Sequence, residues 1–269
     1  MYPLDVFNLF PPFPRNEKVF VAMSFDKKFD NRWNNVIEPA ICEVGLEPYR
    51  VDKKTISDSI ITEIVSGISN CRLFFADLSS FDKLNDRPLR NENVLYEVGI
   101  AHSRRLAEEV ILFRSDNEKL MFDLANIRVN YYNPDEEPEL AKRLIIEALQ
   151  SAIAEIKLQK YFSVQHAVDS LTEDCCICLL SSVPTHGNIN DPIYNQGFTL
   201  SNIVKNNSIL QLIELGILIA QYPNLESILS TKNSEQQDKD SRQNDGNMSY
   251  KITSFGKAVI TEVMARLGK

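Results

Sequence analysis

Short apolar runs alternate with longer amphipathic stretches through the first half of the chain. The runs at residues 18–24, 46–51, 72–78 and 109–113 have the length and composition of buried β-strands. Between them, apolar side chains recur every three or four residues, which predicts helices at residues 30–44, 55–71 and 93–106. Gly45 directly follows the first helix and is expected to terminate it. This order predicts an α/β domain of the flavodoxin-like kind, a parallel sheet with helices on both faces.

The pattern changes in the second half. A fifth strand is predicted at residues 126–132, followed by a helix that begins near Pro138 and ends near residue 160. Beyond it we expect helices at 167–182 and 199–213, strands at 225–230 and 248–253, and a last helix through Leu267. The polar run 231–247 has no apolar residue and is expected to be a mobile loop. The sequence thus predicts two domains, residues 1–160 and 161–269.

Composition and charge exclude several classes of protein. Lys and Arg number 29 against 37 Asp and Glu, a net charge of -8, which disfavours a general nucleic-acid binder. No segment approaches roughly 18 consecutive apolar residues, so we expect no membrane span. The first fifteen residues lack the order of a secretory signal, and we expect a cytoplasmic protein. The five cysteines are an odd number, which argues against a disulfide framework. The cluster Cys175, Cys176 and Cys178 is expected to be buried in a helix, and a metal contact or redox switch is the alternative.

Two carboxylates stand where a doubly wound sheet places its ligands. Asp77 closes the predicted third strand, and Glu97 lies near the start of the next helix, with Asn93 as the expected N-cap. The helix dipole is expected to favour the ionised form of Glu97. Gly99 is expected to let this helix approach the sheet closely. We expect no metal at this site.

The segment around Glu97 resembles a known superfamily. A strand ending in Asp77, followed by Asn93, Tyr96, Glu97, Gly99 and His102 at their spacing, is similar to the nucleoside 2-deoxyribosyltransferase-like and TIR-like superfamily. Residues 20–26, 45–52 and 122–132 also resemble its corresponding segments. The resemblance implies that Glu97 is the catalytic carboxylate at C1′ of a (deoxy)ribose. Members cleave N-glycosidic bonds of nucleosides, nucleotides or NAD, and several bacterial members are effectors of antiviral defence.

Further residues receive roles by this resemblance. Asp77 would protonate the departing base or bind a sugar hydroxyl; its alternative is a turn cap. Arg50 and Arg114, at strand ends, would bind phosphate, or else form surface ion pairs. The remaining candidates for substrate binding are Met23, Ser24, Phe25, Asn93 and Tyr96. His102 lies five positions after Glu97 and is expected to have a packing role.

The chain also departs from the transferases. A long charged loop at residues 81–90 carries Lys83, Arg87 and Arg90, and Asn93-Val94 replaces a Gly-Thr step. These differences favour NAD or a nucleotide as substrate over a free deoxynucleoside, with no separate cofactor.

The second domain resembles a winged-helix domain, because helices precede a hairpin and a final helix and because residues 250–256 are similar to wing sequences. Residues 151–269 hold ten Lys/Arg and twelve Asp/Glu, which gives little electrostatic reason to bind DNA. We therefore expect a homo-oligomer whose second domain self-associates or senses a regulatory protein or signal molecule. The alternatives are a non-catalytic nucleotide-signal-binding module and, least favoured, a winged-helix transcriptional regulator.

Overall fold

The computed structural model describes residues 8–51, 60–85, 87–120, 127–181, 188–190, 199–221 and 249–268. The chain forms two compact units, residues 13–159, and residues from 160 onward together with the segment that ends at Pro12. That N-terminal segment, placed in the first domain by the sequence analysis, lies in the second unit. The reason is an aromatic contact, since the ring centroids of Phe10 and Phe255 are 4.9 Å apart.

The first unit contains a five-stranded sheet in which every neighbouring pair is parallel. Its order is β2-β1-β3-β6-β7, with strands β1 (Asn16–Ala22), β2 (Glu47–Tyr49), β3 (Cys71–Asp77), β6 (Val110–Arg114) and β7 (Asn130–Tyr131). The intervening helices are α1 (residues 30–43, with a π-helical turn at Trp33–Ile37), α2 (Ile60–Asn70) and α3 (Glu92–Arg104). The predicted flavodoxin-like α/β class is confirmed.

The central strands are buried on both faces, which explains why they read as continuous apolar runs. In β3, all residues except Arg72 are buried. One face of the sheet packs α2 and α3 against a cluster that includes Phe20, Ala22, Phe74, Ala76 and Leu112. Burying each large apolar side chain contributes about 1.5–3 kcal/mol, so these strands supply much of the stability of the unit.

The structure agrees with the role expected for Gly45 and differs from the role expected for Gly99. Gly45 has φ 78 and follows the end of α1, so the predicted helix terminator is confirmed. Gly99 is exposed, and a Cβ there would meet nothing within 4 Å, so the expected close approach of α3 to the sheet at Gly99 is wrong. The close approach lies on α2 instead, where a Cβ on Gly67 would stand 2.8 Å from the rings of Phe20 and Tyr49.

The order of the strands creates a crevice between β1 and β3. From β1 the chain moves to β2 on one side, whereas from β3 it moves to β6 on the other. Right-handed crossovers in opposite directions place α1 and α3 on opposite faces of the sheet. The loops after β1 and β3 therefore separate at their carboxyl ends, which is where open α/β sheets bind ligands.

At the opposite end of the sheet, a buried arginine ties two elements together. Strand β3 follows α2 without an intervening residue. The Arg105 guanidinium donates to the carbonyl oxygens of Ile68, Cys71 and Arg72, and it lies 3.5 Å from a carboxylate oxygen of Glu109. These carbonyl groups lie at the junction of α2 and β3, where neither the helix nor the sheet supplies a hydrogen-bond donor, and Arg105 supplies one instead.

Several elements differ from the sequence predictions. A two-stranded hairpin, β4 (Asp82–Leu84) and β5 (Arg87–Leu89), occupies the predicted charged loop. Helix α4 (Pro138–Asp169) continues past the predicted end near residue 160, and α5 (Glu173–Ser181) follows as a separate helix. A strand that was not predicted, β9 (Leu218–Gln221), begins two residues after Gly216, which has φ 80. The predicted strand at 225–230 and the loop at 231–247 lie outside the described residues.

The second unit is built around a three-stranded antiparallel sheet, β8-β10-β9. Its strands are β8 (Asn188–Asn190), β9 and β10 (Ser249–Ile252), and its helices after α5 are α6 (Leu200–Glu214) and α7 (Ser254–Arg266). Cys175, Cys178 and Leu179 of α5 are buried in its core. Burial raises the pKa of the Cys178 thiol, as expected for a structural cysteine.

Among the described helices of the chain, none is both long and apolar enough to cross a bilayer.

Candidate functional site

Helix α3 begins after the carboxyl end of β3, on the side of the sheet edge where the crevice lies, and carries Glu97. The Asn91 side chain caps the helix by accepting from the backbone N–H groups of Asn93, at 3.0 Å, and Val94, at 3.4 Å. The predicted cap at Asn93 is therefore wrong by two residues, because Asn91 has the extended backbone that a capping residue needs. Glu97 consequently lies in the second turn, beyond the range over which a helix dipole acts strongly.

The Glu97 carboxyl is buried, and no residue that the structure describes pairs with it. The residue is 9% exposed and shares a helix face with Val94 and Val98, which pack on the sheet. Among the described residues, no hydrogen bond or ion pair reaches its carboxylate. Burial raises the pKa of Glu97 to about 7, opposite to the effect expected from the helix dipole. A buried carboxyl without a partner costs stability, so such a group points to function.

Asp77 forms the centre of a closed polar network. Its Oδ1 accepts from the backbone N–H of Ser79, at 2.9 Å, and from the Ser79 hydroxyl, while its Oδ2 lies 3.4 Å from Nη1 of Arg32. The side chain has no exposed surface. Asp77 therefore presents no free oxygen to a ligand. Its effect on the crevice is to position Arg32 and Ser79.

Arg32 joins segments that lie far apart in the sequence. Its guanidinium donates to the Ser115 hydroxyl at 2.9 Å and to the Asp135 carboxylate, at 3.1 Å from Nε. Tyr132 is fully buried nearby, and burial, followed by the negative charge of Asp77, raises the pKa of its hydroxyl well above the ordinary value. Sequence reasoning missed Arg32 as a site residue. The available signal was a basic residue in the first turn of the helix that follows β1.

A second ion pair fastens the loops after β3 and β6. Arg90 binds both Asp116 oxygens, at 3.0 and 2.7 Å, and the backbone N–H of Ser80 donates to the same carboxylate at 2.8 Å. Burial alone would raise the pKa of Asp116, but these hydrogen bonds outweigh it and the pKa is lowered. The Ser115 backbone N–H also donates to the Ser79 hydroxyl at 2.9 Å. Arg90 thus holds a carboxylate of the protein itself, not a ligand.

Three predicted substrate-binding residues meet beside the end of β1. The Arg50 guanidinium lies over the ring of Phe25, 5.0 Å from its centroid, and over the ring of Trp33, at 4.6 Å. Its Nη1 is 3.8 Å from Sδ of Met23. Arg50 is 7% exposed and Met23 is 2% exposed, whereas Phe25 is 54% exposed. In this arrangement the aromatic ring, and not the guanidinium, faces solvent.

The other predicted residues stand at separate places around the crevice. Ser24 is buried and its hydroxyl accepts from the Asp26 backbone N–H at 3.3 Å. Arg114 donates to the Glu118 carbonyl at 2.7 Å and remains half-buried. Asn93 and Tyr96 are exposed on α3, close in sequence to Glu97. His102 is half-buried, and burial lowers its pKa, in agreement with a packing role.

The part of the chain that the structure describes contains no group of three or more His, Cys, Asp and Glu residues arranged to hold a metal ion. The candidate site therefore consists of a buried carboxyl, a polar network below the crevice and an aromatic cluster beside it.

Comparison with known proteins finds a partial likeness to solved structures. No protein-family model matches the chain, and no curated protein matches it in sequence. A solved structure, a 2-desoxiribosyltransferase from Leishmania mexicana, is similar to part of the chain, with 17% identity and a TM-score of 0.30. The similar region covers 38% of this chain and 66% of that protein. This likeness is too slight to carry a functional argument, which rests instead on the geometry around Glu97.

Proposed function

We propose that the chain cleaves N-glycosidic bonds and that Glu97 is the carboxylate that acts at C1′ of a (deoxy)ribose. The observation that carries the proposal is the buried Glu97 carboxyl, which has no partner among the described residues and a pKa raised to about 7. It lies on the helix that follows β3, beside the crevice where the strand order reverses. The spacing of residues 93–102, which resembles the deoxyribosyltransferase-like pattern, supports the same role.

The chemistry requires a negative charge beside the sugar. As the bond between C1′ and the base nitrogen breaks, its electron pair leaves with the base and positive charge develops on the sugar. An ionised Glu97 stabilises that charge or bonds to C1′, and water then adds to C1′, displacing Glu97 where that bond has formed, and releases a proton. A base that leaves as an anion takes up this proton, whereas nicotinamide leaves oxidised NAD as a neutral ring and the proton passes to solvent. In a buried site this attraction is stronger than in water. The ionised form is required, so kcat/KM should rise with pH through about 7.

The remaining predicted residues take supporting roles in the proposal. Asp77 positions Arg32 and Ser79 beneath the crevice. NAD or a nucleotide is the proposed substrate, with Arg114 as the candidate phosphate contact and with Asn93 and Tyr96 beside Glu97. No further cofactor enters this scheme.

The biological role proposed is that of an effector in bacterial antiviral defence. The second unit has the order helix, strand, helix, hairpin, helix. This order suits the winged-helix-like module expected from the sequence, which we propose regulates the enzyme by self-association or by sensing a signal.

Base release tests the proposal directly. The full chain, a Glu97→Gln variant and a Glu92→Gln control are incubated with NAD and a nucleotide panel, and free base is measured by chromatography. Glu92 is exposed on the first turn of the same helix, so its variant removes an equal charge outside the site. We expect release from the full chain and the control, and a loss of about a thousandfold or more in Glu97→Gln. Equal release from Glu97→Gln would overturn the assignment.

A non-catalytic nucleotide-binding module is the second candidate. It is favoured by one observation, that the Asp77 carboxylate is fully enclosed by Ser79 and Arg32 and is not free to protonate a leaving base. In that case the same panel would show saturable ligand binding and no free base from any variant.

A further inference from the structure

We propose that Phe25, supported from below by the buried guanidinium of Arg50, is the stacking surface for the nucleobase, and that it selects neutral over cationic rings. This inference rests on the proposed function only in assuming that the ligand carries a nucleobase. It makes Arg50 a residue that positions Phe25, whereas the sequence had predicted that Arg50 contacts phosphate.

The position of Phe25 suits a planar ligand. Phe25 lies three residues after the end of β1, in the loop at the carboxyl edge of the sheet, next to the crevice between β1 and β3. Its neighbours Met23 and Ser24 are both buried, and Asp26 caps the short helix Lys27–Phe29, so the backbone on each side of Phe25 is anchored. Although its backbone is held in this way, more than half of the residue's surface remains exposed. Stacking on an aromatic side chain is a common way for proteins to bind a base.

Arg50 fixes the ring and sets its preference. A guanidinium over an aromatic face is held by cation–π attraction. Arg50 makes this contact with two rings, those of Phe25 and Trp33. At 7% exposure it is too enclosed for bidentate contact with an external phosphate. Its place under Phe25 therefore orients the surface on which a base would lie.

The charge of Arg50 also acts through the ring. The guanidinium lies 5.0 Å from the Phe25 centroid. A ring stacked on the opposite face at about 3.5 Å would lie roughly 8–9 Å from that charge. Repulsion between two unit charges at this separation would weaken binding roughly 25-fold at an effective dielectric of about 20, and screening by solvent at the exposed ring reduces this to about tenfold. Neutral bases avoid this penalty, whereas the cationic nicotinamide ring of oxidised NAD incurs it.

A matched pair of small rings tests the charge preference. Nicotinamide and 1-methylnicotinamide differ by a methyl group and a positive charge, and adenosine serves as the neutral nucleoside. Dissociation constants are measured by equilibrium dialysis with the full chain, and the fluorescence of Trp33, the single tryptophan, shows whether binding occurs beside Arg50. We expect 1-methylnicotinamide to bind about tenfold more weakly than nicotinamide. Equal binding of the two rings would overturn the charge preference.

Variants of the two residues separate stacking from charge. Phe25→Leu should weaken adenosine binding at least tenfold, whereas Phe25→Tyr should bind within about threefold of the unchanged chain. Arg50→Met should bring the ratio between the two nicotinamides close to one, and Arg50→Lys should preserve it. Because this ratio compares two ligands on the same sample, a partly folded variant still gives a valid answer. Unchanged adenosine binding in Phe25→Leu, or an unchanged ratio in Arg50→Met, would refute the proposal.

The outcomes also separate this proposal from the catalytic one. If Phe25 and Arg50 behave as expected but no base is released, the stacking surface stands and the glycosidase assignment fails. If base release depends on Glu97 while Phe25→Leu leaves KM unchanged, the catalytic assignment stands and the stacking surface fails.

Discussion

Replacement of Glu97 by glutamine should stabilise the first unit at neutral and alkaline pH. The folded protein holds the Glu97 proton more tightly than the unfolded chain, because burial raises the pKa of this carboxyl from 4.5 to about 7. At 1.36 kcal/mol for each tenfold change in proton affinity, the difference corresponds to about 3 kcal/mol. Ionising Glu97 in the folded state therefore costs about that much.

The sign and the pH window follow from the same pKa. Below pH 4.5 Glu97 is protonated in both states and the variant should have little effect. Between pH 4.5 and about 7 the unchanged chain loses stability as the pH rises, while Glu97→Gln does not. Above pH 7 the gain should level off at about 3 kcal/mol. A buried group such as Glu97 that lowers the stability of the fold is typical of a functional site.

Urea unfolding followed by Trp33 fluorescence measures this gain. Trp33 is 3% exposed and lies in the first unit, so it reports the unfolding of that unit. Free energies of unfolding are compared between the unchanged chain, Glu97→Gln and Glu92→Gln at pH 5, 6, 7 and 8. Glu92→Gln should differ by less than about 1 kcal/mol at every pH. A Glu97→Gln gain that is absent at pH 8, or that does not grow from pH 5 to 7, would show that the carboxyl is not buried without a partner.

The same unfolding measurement checks three further predictions. Asp77→Asn removes the more deeply buried of the two carboxylate charges that Arg32 faces, the other being Asp135, and should cost about 2 kcal/mol; a loss below 1 kcal/mol would contradict the network. Gly67→Ala should cost about 1–3 kcal/mol because its Cβ meets two rings, whereas Gly99→Ala should gain up to about 1 kcal/mol, and the reverse order would refute the packing. Arg105→Met should cost about 3 kcal/mol since three buried carbonyl groups lose their donor, and an unchanged urea midpoint would disprove that role.

The sheet of the first unit was predictable because its central strands are buried on both faces. The apolar run at residues 72–78 corresponds to β3 within one residue at each end, and the run at 109–113 matches β6 equally closely. The hairpin β4–β5 was missed because its strands are short and polar. Its turn contains Asn85 at φ 50, and asparagine tolerates that conformation, so a local signal was present.

Parts of the candidate site were beyond the reach of local patterns. Glu97 was identified from its spacing and its place after a strand, but its raised pKa depends on packing that only the folded chain creates. Arg32 is separated by 83 residues from Ser115 and by 103 from Asp135, so no sequence window contains the network. Arg50 was expected to bind phosphate because it ends a strand. In the structure its guanidinium lies over the ring of Trp33, a residue that the sequence pattern identified only as an apolar position of a helix.

The edges of the five-stranded sheet limit how copies of the chain can associate. The edge strand β2 has three residues, one of them Pro48, which has no N–H to donate, and the opposite edge strand β7 has only two residues. In the part of the chain that the structure describes, neither edge offers the long, flat row of backbone groups that adds a strand from another molecule. Any self-association of the first unit should therefore occur through side chains on its helices and loops. The sheet itself should resist the edge-to-edge pairing that leads to fibrils.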